Sequence, residues 1–234
     1  MGNKRIVAIH QPNFFPWLGF FDKIARCDTF ILMDNAQFPK KGGTWINRVK
    51  LLIGGKEAWA TAPVDRNYHG VLPICEMKIN KHSPWRNRLL KTVELNYKKT
   101  PFFGETFSVL KSLVENGTDS LLEYNVSAIK AIMRRLDLDT GKVVLGSSLR
   151  TEGNATELLI SMVKSVGGAG YMCGGGASYQ IDTKFMEAGL ELIYQRFEHP
   201  RYPQIISAKF ISGLSIIDSL MNCGFSGVRK LLRL

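Results

Sequence analysis

Two apolar runs of strand length, separated by one helix-length stretch, open the chain. Residues 5–10 read RIVAIH and residues 29–34 read TFILMD, while the stretch after Pro16 reads WLGFFDKIARC and is typical of a helix opened by a proline. A connection of this length suits a right-handed crossover, which makes the two strands parallel. The opening of the chain therefore predicts an α/β fold.

The rest of the chain predicts further strands and helices in one domain. Residues 44–53 and 57–64 flank Gly54-Gly55 and predict a hairpin. Further predicted strands are 75–79, 143–148, 169–173 and 190–197. Predicted helices are 84–97, 104–115, 119–136, 154–166, 182–188 and 210–223, the last ending at Gly224. We predict a single α/β domain over residues 1–234, with a mostly parallel sheet flanked by helices and an antiparallel hairpin insert around 44–80.

The charge of the chain favours anionic partners. Lys and Arg total 31 against 20 Asp and Glu, a formal net charge of +11. Such a surplus attracts phosphates, nucleotides, RNA or an acidic membrane surface. The basic residues are scattered and form no basic tail, so the charge supports a phosphate-bearing ligand without specifying one.

The cysteines and the apolar segments exclude several classes of protein. Cys27, Cys75, Cys173 and Cys223 lie far apart and form no CxxC pair, so neither disulfides nor a structural zinc is predicted. The first apolar run is too short for a signal peptide, and none is long enough to span a bilayer. We expect a cytoplasmic protein with buried thiols and no metal, cofactor or membrane span.

Polar residues follow the predicted parallel strands, at the edge where open parallel sheets bind ligands. His10 and Asp34 end the first two strands, and neighbouring strand ends lie roughly 5 Å apart. Gln11 and Asn13 follow His10 directly. A carboxylate beside an imidazole can fix its tautomer and leave the other nitrogen free as a general base. The alternative for His10 is a structural histidine hydrogen-bonded to backbone.

Two glycine-containing segments are candidate anion sites. Lys40 and Lys41 precede two glycines, which can offer positive charge together with exposed backbone N–H groups, although an exposed basic turn has the same pattern. Asn47 and Arg48, on the next strand, can point to the same ligand. The glycines at 174–176 can cradle a phosphate, but no known nucleotide fingerprint is present.

Other polar residues have a structural interpretation beside a functional one. Two prolines fix a loop that carries His199, Tyr202 and Gln204, and such loops often face ligands. Asp218 falls on the apolar face of a predicted helix, where it needs backbone caps or the site itself as partners. Lys23 and its neighbour Asp22 suit a solvent-exposed helix surface. The tryptophans, with Phe14 and Phe15, suit the core or a stacking surface.

Five segments in this order resemble the WbqC-like protein family over nearly the whole chain: HQPNFFPWLGFFDKI, FILMDNAQF, WINRVKL, HPRYPQ and FISGLSIIDSLMNCG. The family positions that the resemblance carries over are His10, Gln11, Asn13, Pro16, Lys23, Asp34, Gln37, Asn47, Arg48, His199, Tyr202, Gln204, Ser215, Asp218 and Asn222. Cys27 stands where the family pattern has a small polar residue, which argues against a nucleophilic cysteine.

The resemblance implies a role in assembling or modifying a surface glycan, because family members occur among genes for O-antigen and other surface glycans. We expect acyl or aminoacyl (glycyl) transfer to an amino sugar on a nucleotide carrier, with aminoacyl-tRNA or acyl-CoA as donor. His10 is the expected base, oriented by Asp34. Asn13, Asn47 or a backbone N–H is expected to stabilise the oxyanion, and Lys40, Lys41 and Arg48 to bind phosphates. The other expected substrate-binding residues are Gln11, Lys23, His199, Tyr202, Gln204 and Asp218.

Two other functions fit the sequence. One is a noncatalytic protein that binds a nucleotide sugar, or RNA through the +11 charge. The other is glycosyl transfer, which we rank last because Asp34 lacks the second carboxylate of a metal-binding DxD pair.

Overall fold

The fold is described from a computed structural model that covers residues 4–40, 44–174 and 182–234. Its strands are β1 (Ile6–His10), β2 (Thr29–Leu32), β3 (Arg48–Ile53), β4 (Lys56–Thr61), β5 (Val143–Leu145), β6 (Gly170–Cys173) and β7 (Glu191–Tyr194). Its helices are α1 (Leu18–Arg26), α2 (Trp85–Tyr97), α3 (Phe103–Val114), α4 (Leu121–Arg135), α5 (Ala155–Ser165), α6 (Asp182–Glu187) and α7 (Ile216–Leu231).

Five parallel strands form the main sheet in the order β5-β2-β1-β6-β7. The predicted crossover from β1 through α1 to β2 is confirmed, with Ile9 opposite Ile31. Side chains alternate between the two faces of a strand. Ala8 and Leu32 pack in the cluster that includes α1, whereas Val7 and Ile31 pack against α5 and α6 on the other face. Helices therefore cover both faces, and the predicted α/β class is confirmed.

The predicted antiparallel hairpin is formed by β3 and β4, and it is separate from the main sheet. Gly54 and Gly55 both have positive φ, the turn conformation that favours glycine. The outer edge of β3 is covered, because the Lys50 carbonyl accepts a hydrogen bond from the Ser215 N–H and the Leu52 N–H donates to the Tyr97 hydroxyl. The hairpin is thus packed against the helices that follow it.

Two sequence predictions about elements are wrong. Residues 75–79 form no strand: a 3-10 turn occupies Ile74–Glu76, whose backbone bonds to the carbonyls of Ala36 and Asp34 rather than to a ladder. The last helix begins at Ile216 and continues to Leu231, instead of spanning 210–223. Ser215 caps its start, and Gly224, predicted to end it, lies inside as a kink with φ 66°. The helix continues because Phe225 and Val228 return to the core.

No helix in the described ranges has both the length and the apolarity needed to cross a bilayer.

Candidate functional site

The carboxyl ends of β1 and β6 bound the candidate site. From β1 the chain builds the sheet outward to β2 and β5, then returns to the other side of β1 for β6 and β7. In open α/β sheets such a reversal leaves a crevice at the strand ends, because the connecting helices depart on opposite faces. The ends of these two strands are His10 and Cys173, followed by Gln11 and Gly174.

His10 ends β1 as a neutral imidazole with one committed nitrogen. Its Nδ1 lies 3.0 Å from the Gln11 carbonyl oxygen. A carbonyl only accepts, so Nδ1 carries the proton and Nε2 keeps its lone pair. Burial, with a smaller contribution from the positive charge of Lys23, lowers the pKa of His10 from 6.5 to about 4. The ring is held edge-on against Phe20 of α1, at a centroid distance of 5.0 Å.

Lys23 of α1 is buried in the same region, contrary to the predicted surface position. Only 4% of the residue is exposed, and a Cβ placed on Gly174 would lie 3.4 Å from its Nζ. Within the described ranges the ammonium makes no hydrogen bond or ion pair. Burial lowers the pKa of Lys23, since a desolvated ammonium without an acceptor is costly. The Cys173 and Cys27 thiols partly offset this effect. Among the described residues no acceptor bonds to the ammonium, so an anionic ligand would satisfy it.

Asp22, the neighbour of Lys23, is also buried and not on the surface. Its carboxylate accepts hydrogen bonds from Arg26 at 2.7 Å and from the Gln195 side chain at 2.8 Å. Its charge is therefore matched by its own helix and by the end of β7, and it stabilises the fold beside the site.

Asp34 does not orient His10. Its two carboxylate oxygens accept hydrogen bonds from the backbone N–H of Ser147 at 2.8 Å and from the Ser147 hydroxyl at 2.6 Å. The expected partner, the His10 Nδ1–H, is taken by the Gln11 carbonyl. The reason is the strand order: β2 lies between β1 and β5, and the carboxylate turns toward Ser147 in the turn that follows β5. Asp34 thus joins two strand ends.

Asn125 of α4, which sequence reasoning missed, ties two loops of the site together. Its fully buried side-chain amide donates to the carbonyls of Pro12 at 2.8 Å and Ile46 at 2.7 Å. A backbone bond from Phe14 to the Trp45 carbonyl strengthens the same junction. The available signal was an asparagine among the apolar positions of an amphipathic helix.

Asn13 and Asn47, the two candidate oxyanion donors, differ in availability. Asn47 donates to the Ala62 carbonyl at 2.9 Å, which fixes the hairpin. Asn13 is 5% exposed, and its side-chain amide makes no hydrogen bond within the described residues. Asn13 is therefore the donor that the fold leaves free for a ligand.

Of the residues predicted to bind phosphate, the structure describes Lys40 and Arg48, which lie in different places. Lys40 is exposed on the loop after β2. The guanidinium of Arg48 lies 4.0 Å from the ring centroid of Trp59, on the hairpin. Lys41 and the glycines at 175 and 176 lie outside the described residues.

Tyr202, Gln204 and Asp218 meet in a buried polar network. Asp218 accepts hydrogen bonds from Tyr202 at 2.7 Å, Gln204 at 3.1 Å and Tyr97 at 3.0 Å. Burial raises the pKa of Asp218. Because its partners are all protein groups, this network braces α7 against α2 and the loop before α7, and its members are not free to bind a ligand.

His199 lies in that loop among aromatic rings. Its ring stacks on Trp17 at 6.2 Å, Nδ1 lies 3.1 Å from the Pro200 carbonyl, and Nε2 is buried without a partner in the described residues. Burial lowers the pKa of His199. The side chain fits an aromatic packing role.

The buried thiol of Cys27, which follows α1, is not a nucleophile. Burial raises the pKa of Cys27 to about 12, far above the range of a reactive thiol. In the described part of the chain no group of three or more His, Cys, Asp or Glu side chains is placed to hold a metal.

These observations define a doubly wound α/β protein with a basic, partly desolvated site where the strand order reverses. The chain belongs to the WbqC-like protein family, whose model matches residues 11–230 and so begins directly after His10. It is similar to an uncharacterized protein of Mycobacterium tuberculosis, with 27% identity over 220 residues that cover 93% of this chain and 94% of that protein. No solved structure matches.

Proposed function

We propose that this protein transfers an acyl or aminoacyl group to an amino sugar on a nucleotide carrier, as a step in surface-glycan assembly. The observation that carries the proposal is the neutral His10, with a free Nε2, beside the unpaired ammonium of Lys23. One group can accept a proton while the other stabilises negative charge in a desolvated crevice. The resemblance to proteins encoded among glycan genes supports the substrate class.

The proposed reaction transfers an acyl group from the donor to the sugar amine and a proton from that amine to the leaving group. The neutral amine of the sugar attacks the carbonyl carbon of the donor, and the Lys23 ammonium and the Asn13 amide donate hydrogen bonds to the resulting oxyanion. The amine nitrogen becomes more acidic as the new C–N bond forms, and His10 Nε2, whose lone pair is free because Nδ1 bonds the Gln11 carbonyl, takes its proton. The tetrahedral intermediate then releases the thiolate of CoA or the ribose oxygen of tRNA, which receives that proton from His10 Nε2.

The test is amide formation measured by mass spectrometry. Purified protein is incubated with a panel of UDP-, GDP- and dTDP-linked amino sugars, together with glycyl-tRNA or acetyl-CoA. We expect His10→Ala to lower the rate by about 100-fold or more, as for loss of a general base. His69→Ala, at an exposed histidine, is the matched control and should retain the rate. A folded His10→Ala variant as fast as the parent would show that the base assignment is wrong.

Noncatalytic RNA binding is the second candidate, favoured by the +11 charge and by the exposed Trp45 and Trp59. Affinity for bulk tRNA measured against salt concentration separates the two functions. RNA binding through several phosphates falls steeply with salt, whereas binding of one nucleotide sugar falls little. Tight, salt-sensitive binding of tRNA without any amide product would favour this candidate over transfer.

A further inference from the structure

A cavity of about 330 Å³ lies between β4 of the hairpin and α2. Among its lining residues are Trp59, Thr61, Trp85 and Arg88. The volume is at the lower end of the range for small-ligand sites, which combine apolar or aromatic walls with a few polar groups. This cavity has both components.

Trp59, which lines the cavity, also contacts a second tryptophan and a stacked cation. Trp59 is 40% exposed, and Trp45 beside it is 37% exposed, with ring centroids 4.8 Å apart. The Arg48 guanidinium lies 4.0 Å from the centroid of Trp59. Tryptophan and stacked arginine together form the platform on which proteins hold the bases of single-stranded nucleic acids.

Two buried donors beside this wall have no acceptor. Trp85, which lines the cavity, has a buried indole N–H without a hydrogen-bond partner in the described residues, and so does the Nε of Arg48. Buried donors are normally satisfied, so these two call for an acceptor such as a water molecule or a ligand oxygen. Nearby, the charge of Lys50 is paired with Glu57 at 3.0 Å, whereas Arg48 and Arg88 have no carboxylate partner within the described ranges.

We propose that this cavity binds a nucleoside diphosphate, with the base against Trp59 and the diphosphate at Arg88. The inference rests on the proposed function, because it assigns a place to the nucleotide carrier of the amino sugar. The segment that leads into the hairpin is tied to the loop after β1, since the Trp45 carbonyl accepts a hydrogen bond from the Phe14 N–H and the Asn125 amide donates to the adjacent Ile46 carbonyl.

The test measures binding of UDP, CDP, GDP and ADP by calorimetry, with no acyl donor present. We expect one of them to bind the wild-type protein. Trp59→Ala should weaken that binding about tenfold or more, and Trp59→Phe should restore part of it, because an aromatic face is what the base requires. Arg88→Gln should also weaken binding, while Arg150→Gln, at an arginine that lines a different cavity, should not.

Three results would overturn this assignment. They are the absence of binding by every nucleotide, equal affinity for inorganic pyrophosphate, and unchanged affinity in the folded Trp59→Ala variant. His10→Ala separates the two proposals, because it should bind the nucleotide normally and fail only in transfer. Nucleotide binding that depends on Trp59, without any amide product, would retain this cavity assignment and reject the transferase.

Discussion

At the residue scale, the site brings together two basic groups that the surroundings keep from water. The positive charge of Lys23 lowers the pKa of His10, in addition to the larger effect of burial. The Lys23 ammonium itself has no acceptor among the described residues. An anionic substrate, or an oxyanion formed during the reaction, would pair with the Lys23 ammonium and reduce its effect on the His10 pKa. A function of this kind explains why the fold retains an arrangement that costs stability.

Replacing the buried ammonium should therefore stabilise the protein. We expect Lys23→Met, which keeps a similar volume, to raise the free energy of unfolding by about 1 kcal/mol or more, because a desolvated and unpaired charge is removed. Urea unfolding at pH 7 measures the change. Lys91→Met, at an exposed lysine of α2, is the control and should change stability little. A less stable Lys23→Met protein would mean that the ammonium has a stabilising partner.

The same variant should change the titration of His10. Without the Lys23 charge, its pKa should rise from about 4 toward 6.5, as measured by NMR of the imidazole. In the wild type the folded pKa lies below the unfolded one, so the unfolded chain binds the proton first as pH falls. The resulting contribution to stability is present above pH 6.5 and is lost down to about pH 4. In the Lys23→Met variant, the pH range over which His10 loses this contribution to stability should be narrower, because the folded pKa lies closer to 6.5.

At the element scale, the kink in α7 lets two helices approach closely. Gly224 has φ 66°, and a Cβ there would lie 2.6 Å from the Phe102 ring, at the start of α3. The Phe102 N–H donates to the Met221 carbonyl at the same crossing. Glycine is required for both reasons, the backbone conformation and the space.

An added methyl group should test that crossing. We expect Gly224→Ala to lower the free energy of unfolding by about 2 kcal/mol or more, because it combines a strained φ with a clash. Gly104→Ala, in the first turn of α3 with open space around it, should be neutral or slightly stabilising. Thermal unfolding measures the stability of both variants. Equal stabilities would contradict the close approach of Gly224 to Phe102.

At the scale of the whole molecule, one buried side chain connects the main sheet, the hairpin and α4. Asn125 lies on α4, and its two acceptors belong to the loop after β1 and to the segment before β3. The main hydrophobic cluster is continuous across the same three parts. The position of the strand-end site relative to the hairpin thus depends on this amide.

Removing the two donors should loosen that junction. Asn125→Asp keeps the shape, but a carboxylate cannot donate to the Pro12 and Ile46 carbonyls, so we expect a loss of about 3 kcal/mol or more of unfolding free energy. Asn87→Asp, on the exposed first turn of α2, should be harmless. Hydrogen exchange should show the loss at residues 12–15 and 44–47. Unchanged protection there would argue against the brace.

Local patterns in the sequence determined much of the fold. The apolar runs before His10 and Asp34 predicted β1 and β2, and the short crossover predicted that they are parallel, because burial on both faces and connection length are properties of adjacent residues. Gly54-Gly55 likewise located the hairpin turn, since the required backbone conformation favours glycine. The rule that ligands bind beyond parallel strand ends predicted a site at His10 and, after a later strand, at His199.

Tertiary structure alone decided which polar groups meet. The return of the chain across β1 to form β6 puts Gly174 beside Lys23 and buries a lysine that looked solvent-exposed. The same strand order gave Asp34 a partner in Ser147 instead of His10. Asp218 bonds to Tyr97, which lies 121 residues away along the chain. Burial and hydrogen bonding depend on groups distant along the chain, so no local pattern specifies them.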